Sequence, residues 1–93
     1  MKAELLMNER HVLDAGMFVE IVVWRLPRPL PGSIHRFKYR LALVVNEVCV
    51  LRYDNEAGKG DHKHVGNAEE AYDFTVPATL LADFWSDVET WRR

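Results

Sequence analysis

The apolar and polar positions of this chain fall first into a two-residue rhythm and then, near the C-terminus, into a rhythm of three and four. Phe18-Val19-Glu20-Ile21-Val22-Val23-Trp24 is rich in the β-branched and aromatic types that favour strands. It follows the mixed run Glu4 to Leu13 across Asp14-Ala15-Gly16, and a short Gly-containing connection between two such runs predicts a hairpin. With Ala15 and Gly16 as the turn, His11 stands opposite Glu20 and Glu9 opposite Val22, which makes His11 half of a cross-strand pair. A second, longer hairpin begins after His35. Arg36, Lys38 and Arg40 alternate with Phe37, Tyr39 and Leu41, the period of a strand with one solvated face. The strand runs to Val45, turns at Asn46-Glu47, and returns from Val48 to Asp54. A two-residue turn sets Arg40 opposite Tyr53, Lys38 opposite Asn55 and Tyr39 opposite Asp54. Arg36, Lys38, Arg40, Tyr53 and Asn55 then share one face, whereas a slip of one residue sends Arg52 and Asp54 there instead.

Between the hairpins, Leu26 to Ser33 holds prolines at positions 27, 29 and 31. Without backbone donors these enforce extended or turn conformations, so the stretch is expected to be a stiff surface connector that blunts a sheet edge, or a segment that docks in a partner's aromatic groove. Further on, Ala71 to Phe74 predicts a short strand, Thr75 an N-cap, and Pro77 the first turn of a helix. Leu80, Leu81, Phe84, Trp85, Val88 and Trp91 fall on one helical face, with Asp83, Asp87 and Thr90 opposite and solvated. The expected fold is α+β: a small antiparallel sheet from two hairpins plus a short strand, covered by a C-terminal helix. Residues 1–93 form a single domain.

Composition narrows the class. A chain of 93 residues that is 48% hydrophobic and 28% charged suits a globular domain able to bury roughly 60–70% of its unfolded surface. Its longest apolar run, Leu41 to Val45, is far short of the roughly 20 residues of a membrane helix, and no signal-peptide h-region opens it. The lone cysteine, Cys49, forms no internal disulfide; a small buried hydrophobe in a reduced, cytoplasmic protein is expected. The net charge of −2 conceals an asymmetry. Residues 1–64 hold ten Lys and Arg against eight acids, and residues 65–93 hold two against six. From Trp24 to Arg40 there are five cations and no acid. Such a stretch, interleaved with Trp24, Phe37 and Tyr39, can bind a phosphate backbone beside aromatic platforms, or simply keep an edge soluble.

The densest chemistry lies in Arg52 to Gly66, which gathers two of the four histidines, three carboxylates and three of the five glycines. No core needs such a run, so it reads as an active or binding loop. Gly58-Lys59-Gly60 lacks the upstream Gly and following Ser or Thr of a P-loop, and Asp54-Asn55-Glu56 lacks the spacing of a calcium loop. No motif calls for a cofactor. Four readings stand. The run can be a solvated loop in which Arg52 and Asp54 form a structural salt bridge. His62 and His64 can hold a transition metal with Asp61, as in a metal-dependent hydrolase. Alternatively, the chain is a non-catalytic interaction module whose basic hairpin binds protein or nucleic acid. Or it cleaves RNA without a metal. That chemistry needs a base for the ribose 2′-hydroxyl, an acid for the leaving oxygen, and cations for the phosphate. His62 and His64 suit the proton transfers, with Lys59 and Tyr53 as further catalytic candidates. Arg52, Arg40, Lys38, Arg36 and Asn55 are the candidate substrate ligands.

Arg52-Tyr53-Asp54-Asn55, the run Lys59-Gly60-Asp61-His62-Lys63-His64, then Tyr72-Asp73-Phe74 and the helix Leu80 to Val88 resemble the TumE family, small bacterial proteins described as toxins of toxin–antitoxin pairs. The likeness extends to Val19–Trp24 and Phe37–Leu43, and is most specific at RYDN and KGDHKH. It departs at Asn46-Glu47, where Asn-Gly is expected of such a turn. The resemblance implies a cytoplasmic toxin, of the type II kind, and an antitoxin partner that binds DNA through a helix-turn-helix. RNA is the expected target, and self-association is compatible with exposed strand edges.

Overall fold

The computed structural model describes residues 2–92. Six strands form one antiparallel sheet in sequence order: β1 (Glu4–Asp14), β2 (Met17–Arg25), β3 (Phe37–Val45), β4 (Val48–Glu56), β5 (Gly60–Val65) and β6 (Ala68–Ala71). One helix, α1 (Pro77–Arg92), lies across β3 and β4. The expected α+β class and the helical cover are both present. The sheet is larger than expected, because the glycine-rich stretch read as a loop is itself a hairpin, β4–β5, extended by β6.

Alternation explains the core. Val19, Ile21 and Val23 from β2, Tyr39, Leu41 and Leu43 from β3, and Leu51 and Tyr53 from β4 point to one face. Leu80, Phe84 and Val88, one helical turn apart, seal them from above. Leu81 and Trp85 flank this stripe half-buried, while Trp91, expected in it, is 40% exposed near the helix end. Pro77 is the first helical residue, so the capping position falls on Val76, whose carbonyl accepts from the Leu80 amide, one residue later than expected for Thr75.

Both long hairpins have the expected two-residue turns and then change register through bulges. Asp14 pairs with Met17, but Leu13 is an extra residue, and His11 stands opposite Val19 rather than Glu20. Its imidazole is bonded to Glu9 at 2.7 Å and meets the edge of Trp85. At the second turn Asn46 and Glu47 have φ of 49° and 70°, the left-handed pair of a type I′ turn, and Val45 pairs with Val48. Val50 is then unpaired, so Leu43 faces Leu51 and Arg40 faces Asp54. An inserted residue shifts a strand by one and exchanges its faces. Arg40 therefore lies with Arg52 and Asp54, and the expected partners Tyr53 and Asn55 go to the helix side. Near the turn Cys49 pairs with Val44 and is exposed, not buried.

Candidate active site on the open face of the sheet

Two turns build the site. β4 and β5 are joined through Ala57-Gly58-Lys59, with Glu56 paired to Gly60. The proline-rich connector folds back onto this tip, where the Gly58 amide donates to the Pro31 carbonyl at 2.6 Å. Gly32 has φ of 83°, and a Cβ there would stand 3.2 Å from the Gly58 Cα. The approach therefore requires glycine on two counts. From the tip, Asp54 pairs with His62 and Arg52 with His64, and His64 in turn faces Glu69 on β6. Even-numbered positions of β4 and β5 thus project together from the face that α1 leaves open.

There Arg52, Asp54, Glu56, Lys59, His62, His64 and Glu69 line a shallow pocket of about 60 Å³. The Arg52 Nε lies 3.2 Å from Asp54 Oδ2, and its Nη2 lies 3.1 Å from His64 Nε2. Because guanidinium only donates, His64 Nε2 is the acceptor and its proton sits on Nδ1. His62 has the complementary geometry. Its Nδ1 lies 3.1 Å from the Gly60 carbonyl, an acceptor, so Nδ1 carries the proton and Nε2 presents the lone pair. Both Nε2 atoms point at one oxygen of Glu69, at 3.8 Å from His62 and 3.9 Å from His64. Lys59 reaches Glu56 at 3.7 Å on the rim. The two imidazoles differ in what occupies Nε2: an arginine in one case, open space beside a carboxylate in the other.

Residues 2–92 match the family model described as Toxin TumE. The chain belongs to the TumE toxin family. Membership makes it the toxin of a toxin–antitoxin system and implies an antitoxin partner. No curated protein and no solved structure matches it.

Of the residues expected to act, the TumE-family fold brings Arg52, Lys59, His62 and His64 into one pocket, with Arg40 paired across to Asp54 beside them. Lys38 follows on the same face of β3. Arg36 lines a different pocket with Lys2, Glu4 and Arg25. Tyr53, Asn55 and Asp61 are at odd positions and face the helix side. Asn55, 3% exposed, uses its side-chain carbonyl to accept from the Tyr39 amide at 2.9 Å and its amide to donate to the Phe37 carbonyl at 2.7 Å. It continues the β3–β4 pairing past Arg40. Asp61 is turned away from His62 and His64 by the strand alternation, so those three do not converge. Among the described residues no group of three or more His, Cys, Asp or Glu is arranged to hold a metal ion. Among the same residues no helix is long and apolar enough to cross a membrane.

Of the pocket's other members, Asp54 is paired with Arg52 and stands on the face a one-residue slip assigns to it, while Glu56 and Glu69 were not singled out as site residues, nor was a second cluster around His35. In that cluster His35 Nδ1 accepts from the Phe37 amide, so Nε2 donates to Asp61 at 2.9 Å. The Tyr39 hydroxyl donates to the same carboxylate at 2.6 Å, and Phe74 stacks on the His35 ring at 4.0 Å between centroids. The only hint in the chain was His35 before a strand with an aromatic alternation. The helix acids, expected to be solvated, are tied to the sheet. Tyr53 donates to Asp87, Lys63 reaches Asp87 at 2.7 Å, and Tyr72 donates to Asp83 at 2.5 Å. Burial first, and then the accepting carboxylate, holds the Tyr39, Tyr53 and Tyr72 hydroxyls well above the ordinary tyrosine range.

Proposed function

We propose that this toxin cleaves RNA by metal-independent general acid–base catalysis on the open face of its sheet. The reading is carried by one observation: two imidazoles in different hydrogen-bonding states converge on a single carboxylate beside an arginine. His62 Nε2, with its proton held on Nδ1 by the Gly60 carbonyl, takes the proton of a ribose 2′-hydroxyl. That oxygen attacks phosphorus, and the 5′-oxygen leaves with a proton from His64. Products are a 2′,3′-cyclic phosphate and a 5′-hydroxyl. Glu69 occupies the position of the incoming anion and, 52% exposed at the sheet edge, is free to swing aside. Arg52 then turns from His64 to the phosphate, which releases His64 Nε2 to carry the proton it must deliver. Lys59, Arg40 and Lys38 neutralise neighbouring phosphates, and Arg36 serves as a more distant ligand. The target is RNA in the bacterial cytoplasm, and the antitoxin is a helix-turn-helix DNA-binding protein.

Purified protein is assayed on single-stranded RNA in EDTA. His62→Ala is expected to slow cleavage by about 10²–10⁴-fold, the range of a general acid or base, with a new cyclic-phosphate terminus in the wild-type product. Equal cleavage by wild type and the His62→Ala/His64→Ala protein would sink the assignment. Loss in EDTA with recovery in a divalent ion would transfer the chemistry to a metal.

A further inference from the structure

The face that α1 leaves open carries aromatic and apolar side chains for which the core has no use. Phe18, Val22 and Trp24 on β2 are half-buried among their strand neighbours, yet none belongs to the core cluster or packs against it. They alternate with Val19, Ile21 and Val23, which are sealed beneath the helix. An uncovered apolar strip of this kind marks a surface that meets something.

The cations beside the strip say what. Lys38 stands across from Trp24 and Arg40 across from Val22, while Arg10 on β1 stands across from Glu20. The Arg10 guanidinium carbon lies 3.8 Å from the Phe18 ring centroid, a cation held against an aromatic face. Among the described residues Arg10, Lys38 and Arg40 make no ion pair, whereas Arg52 and Lys59 beside the histidines each face a carboxylate. Unneutralised cations spaced between aromatic rings on an open sheet are complementary to a polyanion whose bases are free to stack. A duplex hides its base faces and offers these rings nothing. The register connects this surface to the histidines, since Val22, Arg40, Asp54 and His62 form one row across β2 to β5. Three strand spacings separate its ends, about 14 Å, a reach of a few nucleotides.

We propose that the β1–β3 part of the open face is a stacking platform for single-stranded RNA, in which Trp24 and the Arg10 guanidinium laid on Phe18 hold bases while Lys38 and Arg40 hold the phosphates leading to His62. The proposal rests on the RNA reading of the histidine pair and adds the form of the substrate and the side on which it is held.

The test uses the full chain carrying His62→Ala, so that bound RNA stays intact, and a fluorescein-labelled single-stranded RNA of about twelve nucleotides, within the span such surfaces cover. Anisotropy gives Kd. Trp24→Ala and Phe18→Ala should each weaken binding roughly tenfold or more, the effect of losing one stacked base, without changing the circular dichroism. Trp24→Leu, which keeps bulk and loses the π face, should show the same loss and covers the case in which Trp24→Ala misfolds. Lys38→Gln/Arg40→Gln should flatten the log Kd against log salt slope by about 1.4, or about 0.7 per phosphate. The same sequence as a duplex should bind at least tenfold more weakly. Affinity within twofold of the parent for both Trp24 variants, or equal affinity for duplex, overturns the platform and assigns the face to another partner. Tight, Trp24-dependent binding by a protein whose wild type does not cut RNA would sink the cleavage reading and leave the platform standing. Cleavage with no dependence of affinity on Trp24 would do the reverse.

Discussion

Tyr53→Phe separates structure from chemistry in the most reactive stretch of the chain. Tyr53 is 1% exposed, its ring meets Tyr72 and Phe84 edge-on, and its hydroxyl donates to Asp87. The substitution keeps the ring and removes only that donor. A hydrogen bond to a charged group contributes about 1.5–3 kcal/mol. Asp87 retains Lys63 at 2.7 Å and is not stranded, so the loss belongs at the lower end, about 1.5–2 kcal/mol. For a chain of this size that lowers Tm by roughly 6–15 °C. Urea titration followed by tryptophan fluorescence should show the midpoint falling with an unchanged slope. RNA cleavage at a temperature where both proteins are folded should change by less than about twofold, because the sheet stands between this hydroxyl and the pocket of His62. A hundredfold loss of cleavage, the minimum for a general acid, with an unshifted urea midpoint would refute this placement and return Tyr53 to the catalytic machinery.

Other expectations follow from the backbone and from the buried hydroxyls. Glu47 has φ of 70°, a conformation that strains an L side chain and suits glycine; Glu47→Gly should raise stability by about 0.5–1 kcal/mol, read as a higher Tm, and a lower Tm would contradict the type I′ assignment. Deleting Val50, the bulged residue, leaves Val44 opposite Cys49 and Leu43 opposite Leu51, so on the cleavage reading the deletion protein should fold and cut RNA, whereas inserting an alanine between Leu51 and Arg52 should exchange the faces beyond it and abolish both. Tyr39 and Tyr53 lose their protons less readily when folded than when unfolded, where ionisation begins near pH 10.0. The folded state therefore holds more protons above that pH, and the stability these hydroxyls contribute is complete below it and declines as pH rises. Each costs about 1.4 kcal/mol by pH 11, about 3 kcal/mol for the pair. A urea midpoint that does not fall between pH 9 and pH 11 would show that neither hydroxyl is buried against its carboxylate.

The first four strands, their two turns and the helix were legible because local composition determines them, whereas the short strand expected over Ala71 to Phe74 lies at Ala68–Ala71. Asn46-Glu47 and Ala15-Gly16 turn where the alternation breaks, and Leu80, Phe84 and Val88 recur at helical spacing above a sheet that needs them. The glycine-rich run was misread as a loop because Gly58, Gly60 and Gly66, all at positive φ, suit tight turns as well as ligand loops. What stayed hidden were the register shifts at Leu6, Leu13 and Val50. A bulge is a backbone event between two strands, carries no compositional mark at a valine or leucine, and reverses everything beyond it. The same blindness covers Glu69, whose neighbours in sequence are ordinary and whose place beside two imidazoles exists only once β6 pairs with β5.

The run from Arg52 to His64 therefore mixes two clusters. Its even positions, Arg52, Asp54, His62 and His64, line the pocket half-buried, with Glu69 near both imidazoles and Arg52 on His64. Its odd positions, Tyr53, Asn55, Asp61 and Lys63, are bonded to the helix, to β3 or to His35, and hold the closed face together. The two sets contain the same kinds of side chain, so residue type alone does not sort them; parity does, and parity is set by where Val50 leaves the ladder. On the proposed cleavage reading, stability and chemistry are then separable in this toxin. Substitutions at odd positions should move the unfolding midpoint and spare the reaction, and those at even positions should do the opposite.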